Sequence, residues 1–442
     1  MMADSPAVQA PIDPREQPIL DKLLAVRDNL SLLKQDRTTY IRSQDVMSLY
    51  DQVIEQVLQL NDVRKDNRSQ QSRVDTVLDD CFQLISLFFL TIGKNNEAPA
   101  VYSMTSTIKR LLDHLKEAAF YSAKDLDSMS GTLESLRENL RRGSNTYPPE
   151  LLTLLEARLT KCESLLHELQ KPLWNLPASL TPIHEKLVSI LRLIAAANTR
   201  QKFPAAEVKS LQEQLWEIQG TQTDGKFVAP DGTIPEGQEV VLELFGRCLK
   251  WAGIVLEREG RIDERVQPTY ARLLDIRNQL EKLSLTQAWS LRETDLYGFQ
   301  RQLDRIDEAR VNGEFVDHRG EPADLHAQRT LLYLLRRSYA YIYVALISSE
   351  PVSEALLPIF NQLQTLRKCL IEVRESGGVS SPRELYPYSM KLNSIDNMRV
   401  DGKFMVGNDI PEGQGSINSL LAECFDLCYE LRVDIEDKES KE

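Results

Sequence analysis

Few of the side chains that most often carry chemistry occur in this chain. Of 442 residues, 5 are histidine, 6 are cysteine and 4 are tryptophan. The histidines, His114, His167, His184, His318 and His326, share no metal-ligand spacing. His167-Glu168 has no second histidine four residues on, so it is not a zincin motif. There is no Gly-x-Ser-x-Gly elbow, phosphate-binding Walker loop or dinucleotide fingerprint. The chain is therefore expected to be a non-enzyme that holds no cofactor and no metal.

Long apolar runs are also missing. The longest stretch, Cys81 to Ile92, is interrupted by Gln83 and Ser86. It falls short of the roughly 20 apolar residues that a membrane-spanning helix needs. No apolar segment of the signal-peptide type occurs in Met1 to Gln17, where Pro6, Pro11 and Pro14 suggest a disordered arm. Positive charge is short as well: 53 Lys and Arg face 66 Asp and Glu, a formal net charge of −13. That disfavours a general nucleic-acid binder, which needs a surplus of basic side chains. The cysteines are scattered, as small buried residues in a reducing compartment would be.

What the chain does have is internal repetition. An apolar residue, two spacers and a small thiol or hydroxyl recur at Leu78–Cys81, Leu159–Cys162, Phe245–Cys248, Leu335–Ser338 and Leu421–Cys424. A proline upstream keeps the same beat at Pro18, Pro99, Pro182, Pro268 and Pro358. A fixed period of about 85 residues marks one supersecondary unit used several times. Within each unit the apolar residues follow a helical period. Ile19, Leu23, Val26, Leu30 and Leu33 form one stripe, and Val46, Leu49, Val53, Val57 and Leu60 another. The third helix of each unit is apolar almost all round.

The expected fold is all-α: five tandem three-helix repeats forming either a solenoid or a chain of helical bundles. The repeats span residues 18–95, 96–172, 173–260, 261–350 and 351–433, after a disordered arm over 1–17 and before a charged tail over 434–442. Ser43, Ser122, Ser290 and the Ser381-Pro382 pair are expected at the starts of second helices. Nothing in the sequence fixes an oligomeric state.

The last three units carry a matching insertion between their second and third helices. It reads Asp224-Gly225-Lys226-Phe227 with Ile234-Pro235-Glu236-Gly237-Gln238, Asn312-Gly313-Glu314-Phe315, and Asp401-Gly402-Lys403-Phe404 with Ile410-Pro411-Glu412-Gly413-Gln414. Asx-Gly marks a tight turn, and the phenylalanine behind it should tuck into the bundle end. Insertions in repeats also tend to share a face, so Lys226, Phe227, Phe315, Lys403 and Phe404 are candidate partner-binding residues. Arg310 and Arg399 occupy matching positions after second helices, as does Arg64, and could form a ladder for an acidic partner or a small anion. A calcium reading fails. With Gly225 sixth, Gly220 and Gln222 fall at the first and third ligand positions, and Arg310 and Arg399 take the third position in the other two loops. Gly413-Gln414-Gly415-Ser416 offers a weak phosphate cradle at a helix start. Arg141-Arg142-Gly143-Ser144 suits a basophilic kinase, making Ser144 a candidate phosphorylation site. Tyr333, Tyr339, Tyr341 and Tyr343 lie on an expected helix, where packing is favoured over base stacking.

These repeated loops are the features by which the chain resembles a fungal family of uncharacterised proteins, defined by a domain of unknown function. The resemblance covers about Pro18 to Val433. It implies a cytoplasmic and nuclear protein loosely linked to proteasome function, and it offers no catalytic residues to carry over. The expected role is a protein-interaction scaffold or adaptor in ubiquitin–proteasome or stress-response pathways, with other proteins as partners. The alternative is a binder of a small anion or phosphorylated headgroup through the loops and arginines of repeats 3–5.

Overall fold

The computed structural model describes residues 13–65, 72–228, 233–286 and 291–439. The chain is all-α, with fifteen α-helices among those residues. The first six are α1 (Gln17–Gln35), α2 (Ser43–Val63), α3 (Arg73–Thr91), α4 (Val101–Ala118), α5 (Ala123–Arg142) and α6 (Pro149–Trp174). They are followed by α7 (Thr181–Ala197), α8 (Ala205–Gly220), α9 (Gln238–Arg258), α10 (Gln267–Thr286), α11 (Leu296–Glu308) and α12 (Leu325–Ile347). The last three are α13 (Leu357–Glu375), α14 (Tyr386–Asp396) and α15 (Gln414–Glu439). No helix among the described residues is long and apolar enough to cross a membrane.

Taken in threes, the helices repeat one packing relation: α1 lies against α3, α4 against α6, α7 against α9, α10 against α12 and α13 against α15. The helical stripes explain it. On α1, Ile19, Leu20, Leu23, Val26 and Leu30 are buried. On α3 every residue from Asp80 to Thr91 is buried, so this helix has neighbours on all sides. The small residue of the period sits where a first and a third helix touch. Cys81 donates its Sγ–H to the Leu23 carbonyl, Cys162 to that of Thr105, Cys248 to that of Leu187 and Cys424 to that of Leu363, at 3.5–3.6 Å. Ser338 bonds instead within its own helix, to the Leu334 carbonyl at 2.9 Å.

The buried residues form three cores. The largest joins α1–α6 to α10–α12, the second belongs to α7–α9 and the third to α13–α15. The fourth triplet thus folds back on the first two: α12 packs along α4, and α11 meets α3. Between these helices lies a cluster of ion pairs. Arg110 reaches Asp304 at 3.3 Å and Asp307 at 3.0 Å, and Arg301 reaches Asp80 at 3.0 Å. Burial alone would raise the Asp307 carboxyl. The hydrogen bonds from His114 and Arg310 and the charge of Arg110 overcome it and hold the carboxyl well below the usual range.

Capping follows the sequence in part. Ser122 and Asp125 form a capping box at α5, and Ser381 accepts from the Arg383 amide ahead of α14. Ser43, expected as a cap, is instead the first residue of α2, and Arg42 holds the cap position without a side-chain bond. Ser290 lies outside the described residues, as do residues 1–12 of the expected disordered arm. The arm's end is ordered: Pro14–Glu16 form a short 3-10 turn, and Glu16 is buried against Arg64 at 2.7 Å. At the other end, the expected tail from Asp434 is helical as far as Glu439.

Candidate functional site

The loop after α8 folds as a minimal hairpin. Strands β1 (Gln222–Thr223) and β2 (Lys226–Phe227) pair antiparallel, with Thr223 opposite Lys226. The loop after α14 repeats it with β3 (Arg399–Val400) and β4 (Lys403–Phe404), Val400 opposite Lys403. After α11 one isolated bridge joins Val311 to Glu314 and another joins Val316 to Pro322. All three turns place two residues at positive φ: Asp224 at 49° and Gly225 at 74°, Asn312 at 53° and Gly313 at 82°, Asp401 at 50° and Gly402 at 76°. Two-residue turns with both central φ positive match the twist of a hairpin, and Asx-Gly tolerates that geometry best.

What holds each hairpin in place is a glutamine on the following helix. The Phe227 amide donates to Gln238 Oε1 at 3.1 Å. Phe315 and Gln328 exchange two bonds, both at 2.8 Å. Phe404 and Gln414 do the same at 2.9 and 2.7 Å. An amide side chain has one acceptor and donors in the geometry of a peptide group, so it extends the short ladder by one rung. Gln238 and Gln414 stand in the Pro-Glu-Gly-Gln sequence. Gln328 has no such context, and the sequence reading missed it; its signal is a glutamine 13 residues after the loop phenylalanine.

The three phenylalanines are inside the bundle ends, with Phe227, Phe315 and Phe404 at 3%, 4% and 1% exposure. That corrects their assignment as partner contacts, because burial withholds their rings from a partner. The accessible loop surface belongs to Lys226 and Lys403, both exposed, with the exposed apolar side chains Val228 and Ile234 in one loop and Val400, Met405 and Ile410 in the other. In the middle loop Glu314 and Val311 are exposed.

The expected arginine ladder is occupied. Arg310 pairs with Glu117 and with Asp307 at 2.9 Å, donates to the Gly313 carbonyl at 2.9 Å and sits 4.8 Å from the Phe315 ring centroid. Arg399 pairs with Asp396 and reaches Asn418 at 3.4 Å. Arg64 pairs with Glu16 and Asp75, each at 2.7 Å. These guanidiniums close the helix ends next to their own loops. The phosphate cradle at Gly413 is covered by Val352, whose Cα would lie 2.7 Å from a Cβ built there.

Each loop has different neighbours. The loop before α12 meets α4 through Glu117 and α9 through the Arg258–Asp324 pair at 2.7 Å. The loop before α15 meets the α1–α2 connection, where Tyr40 Oη donates to Asp409 at 2.7 Å. Ser144 is exposed in a 3-10 turn, Gly143–Asn145, and Arg141 and Arg142 both pair with Glu138. Of the tyrosines on α12, Tyr339 is buried and donates to Asp304 at 2.6 Å, and Tyr341 donates to Glu281 at 2.9 Å. All six cysteines are free, and all but Cys369 are buried. Burial pushes the Cys81 and Cys248 thiols up to about 12 and those of Cys162 and Cys424 to about 11, which makes them poor nucleophiles. Among the described residues no group of three or more His, Cys, Asp or Glu converges as a metal site.

A helical chain with hairpin-bearing units and closed, paired arginines defines a class by architecture alone, and comparison with known proteins gives the class its family. A model described as a protein of unknown function, DUF2408, matches residues 173–293 and 349–442. A CUB1 family protein of Schizosaccharomyces pombe is 40% identical over 457 residues, covering 100% of this chain and 99% of the relative. The Cu(2+) suppressing and bleomycin sensitive protein 1 of Saccharomyces cerevisiae is 38% identical over 504 residues, covering 96% of this chain and 91% of that one. The chain belongs to this fungal family. No solved structure matches it.

Proposed function

We propose that the protein is a non-enzymatic scaffold or adaptor, built of five tandem three-helix repeats, that holds partner proteins on its hairpin loops. The observation that carries this reading is the glutamine clasp. It fixes each hairpin to a helix end, and the loops after α8 and α14 present a lysine beside exposed apolar side chains, Val228 and Ile234 or Met405 and Ile410. A rigid loop with apolar and cationic groups suits partner recognition, since little ordering entropy is lost on binding. The tandem reading is supported by the four cysteine-to-carbonyl bonds at one register. It is also supported by the family model, which falls on the segments containing the third and fifth triplets.

The family resemblance extends the proposal to partners in ubiquitin–proteasome or stress-response pathways and to a cytoplasmic and nuclear location. Ser144, exposed beside Arg141 and Arg142, is proposed as a phosphorylation site on this scaffold; phosphopeptide mapping tests it. The alternative, an anion held by Arg310 and Arg399, has less support because both guanidiniums are already paired. The test of the main proposal is quantitative affinity purification from the native host, comparing the wild type with Lys226→Glu/Lys403→Glu. A discrete set of proteins should be lost at unchanged helicity and melting temperature. Recovery of the same set by both would overturn the proposal.

A further inference from the structure

A cleft of about 330 Å³ opens where α4, α7, α9 and α12 meet, at the junction of the largest core with the second. Its composition runs against that of the chain. Arg247, Arg329 and Arg336 line it, and among the described lining residues Glu117 is the one carboxylate. Glu117 is already taken by Arg310. The remaining wall is apolar, including Phe120, Leu191 and Trp251. In a protein of net charge −13, three guanidiniums gathered in an apolar cleft stand out.

Arg247 pairs with Glu243 at 2.5 Å and donates to the Ala119 carbonyl at 3.1 Å, and Arg336 is the least compensated of the three. Its Nη1 is shut off from solvent and has no hydrogen-bond partner. Its guanidinium carbon sits 4.3 Å from the Phe120 ring centroid, so the planar group is held in place by stacking. Burial and the nearby charge of Arg192 lower it to about 10, against a weaker pull from Asp125. Arg329 stands 5.6 Å from the Trp251 ring centroid, and burial and Arg247 lower it too. Seven residues separate Arg329 from Arg336, two turns along one face of α12. A buried cation without a partner is costly, and such a cost persists in a folded protein when something else supplies the counter-charge.

We propose that this cleft binds a small organic phosphate, a phosphomonoester on a compact apolar or ring-bearing body, with Arg336 holding the phosphate and Arg329 supplying further positive field beside the Glu243-paired Arg247. A dianion with several acceptor oxygens matches a partnerless guanidinium better than a single carboxylate does, and the forked donors of arginine fit it bidentately. The cleft volume suits a molecule of that size, and the apolar wall takes its body. This site borders the middle hairpin, since its clasp Gln328 and its ion-pair partner Glu117 also line the cleft, but the proposal does not rest on the scaffold reading.

The experiment is calorimetric and thermal-shift titration of the full chain with phenyl phosphate, inorganic phosphate and benzoate, at physiological salt. Phenyl phosphate should bind saturably at one site, raise the melting temperature with concentration and bind about tenfold tighter than either other probe. Arg336→Met should weaken it by about tenfold or more, while the unliganded variant melts no lower than the wild type, because the substitution removes a charge that the weaker pull of Asp125 leaves poorly compensated. Arg337→Met, altering an exposed arginine bonded to Tyr341 at 3.0 Å, should bind as the wild type does. If Arg336→Met fails to fold, Arg329→Met reads the same loss of binding. No saturable binding at millimolar phenyl phosphate, undiminished binding by the folded arginine variants, or equal binding of benzoate or inorganic phosphate would overturn the proposal.

Discussion

Gln414 grips Phe404 by both of its backbone groups, its Oε1 accepting from the Phe404 amide at 2.9 Å and its Nε2 donating to the Phe404 carbonyl at 2.7 Å. Phe315 and Gln328 are joined in the same way. The hairpin is too short to be stable by its own ladder, so this grip and the buried ring hold it.

Replacing Gln414 with alanine leaves the Phe404 amide and carbonyl without those partners. The expected loss is about 1–3 kcal/mol of unfolding free energy, together with faster hydrogen exchange at Phe404. Gln328→Ala should behave alike at Phe315. Denaturant unfolding with exchange mass spectrometry checks both; unaltered exchange at the two phenylalanines would contradict the account.

Gly93 and Gly413 enclose the segment that leads into the last triplet. A Cβ on Gly93, whose φ is +84°, would come within 2.6 Å of the Ser353 amide nitrogen, and one on Gly413 within 2.7 Å of Val352 Cα. Both obstacles are backbone, so neither rotates away. Ser353 and Glu354 are further tied to Glu412 and Thr91 by backbone bonds at 3.0 Å. Gly93→Ala is therefore expected to cost about 2–4 kcal/mol and to loosen α13–α15 from the rest. Limited proteolysis should cut first near residue 350; a wild-type digestion pattern would contradict this.

The thiols give a simple readout. Five of the six cysteines are buried, and Cys369 alone is exposed. A native titration with a thiol reagent near neutral pH should label about one thiol quickly and the others only on unfolding. Rapid labelling of Cys81, Cys162, Cys248 or Cys424 would show that the contacts between first and third helices open readily.

Two histidines set a pH response. Burial lowers His184 and His326 below the ordinary value of 6.5, and His326 Nε2 meets Asn198 Oδ1 at 3.1 Å while its ring stacks on Trp251. The unfolded chain protonates these rings more readily than the folded one. Each contribution is complete above 6.5 and falls away as pH drops from there through the depressed folded value. Buried carboxyls raised by desolvation, Glu293 and Glu354, act in the opposite sense. The comparison with His326→Gln isolates the ring: the stability advantage of the wild type should shrink on acidification. A gap that widened as pH fell would be inconsistent with a neutral buried His326.

Much of the helical layout was legible in the sequence because burial imposes a period. The stripe on α1 and the Asx-Gly-x-Phe loops reported elements and turns directly. The return of the fourth triplet onto the second was not legible. An all-round apolar helix such as α3 says that it has neighbours on every side, but not which ones. The arginine cleft was hidden for a related reason: Phe120, Arg247 and Arg336 are far apart in sequence, and only the packing of α4, α9 and α12 brings them together. The paired state of Arg310 and Arg399 likewise depends on Glu117, Asp307 and Asp396, whose direction a spacing rule does not give.

The central claim is that the hairpin tips are where partners are held. A photo-crosslinking amino acid placed at position 403, with position 368 on the exposed face of α13 as the comparison, tests it in the native host. The account predicts discrete adducts from position 403 that vanish with Gln414→Ala and are missing from position 368. Adducts of equal yield and identity from both positions, or none from 403 in a folded chain, would contradict it.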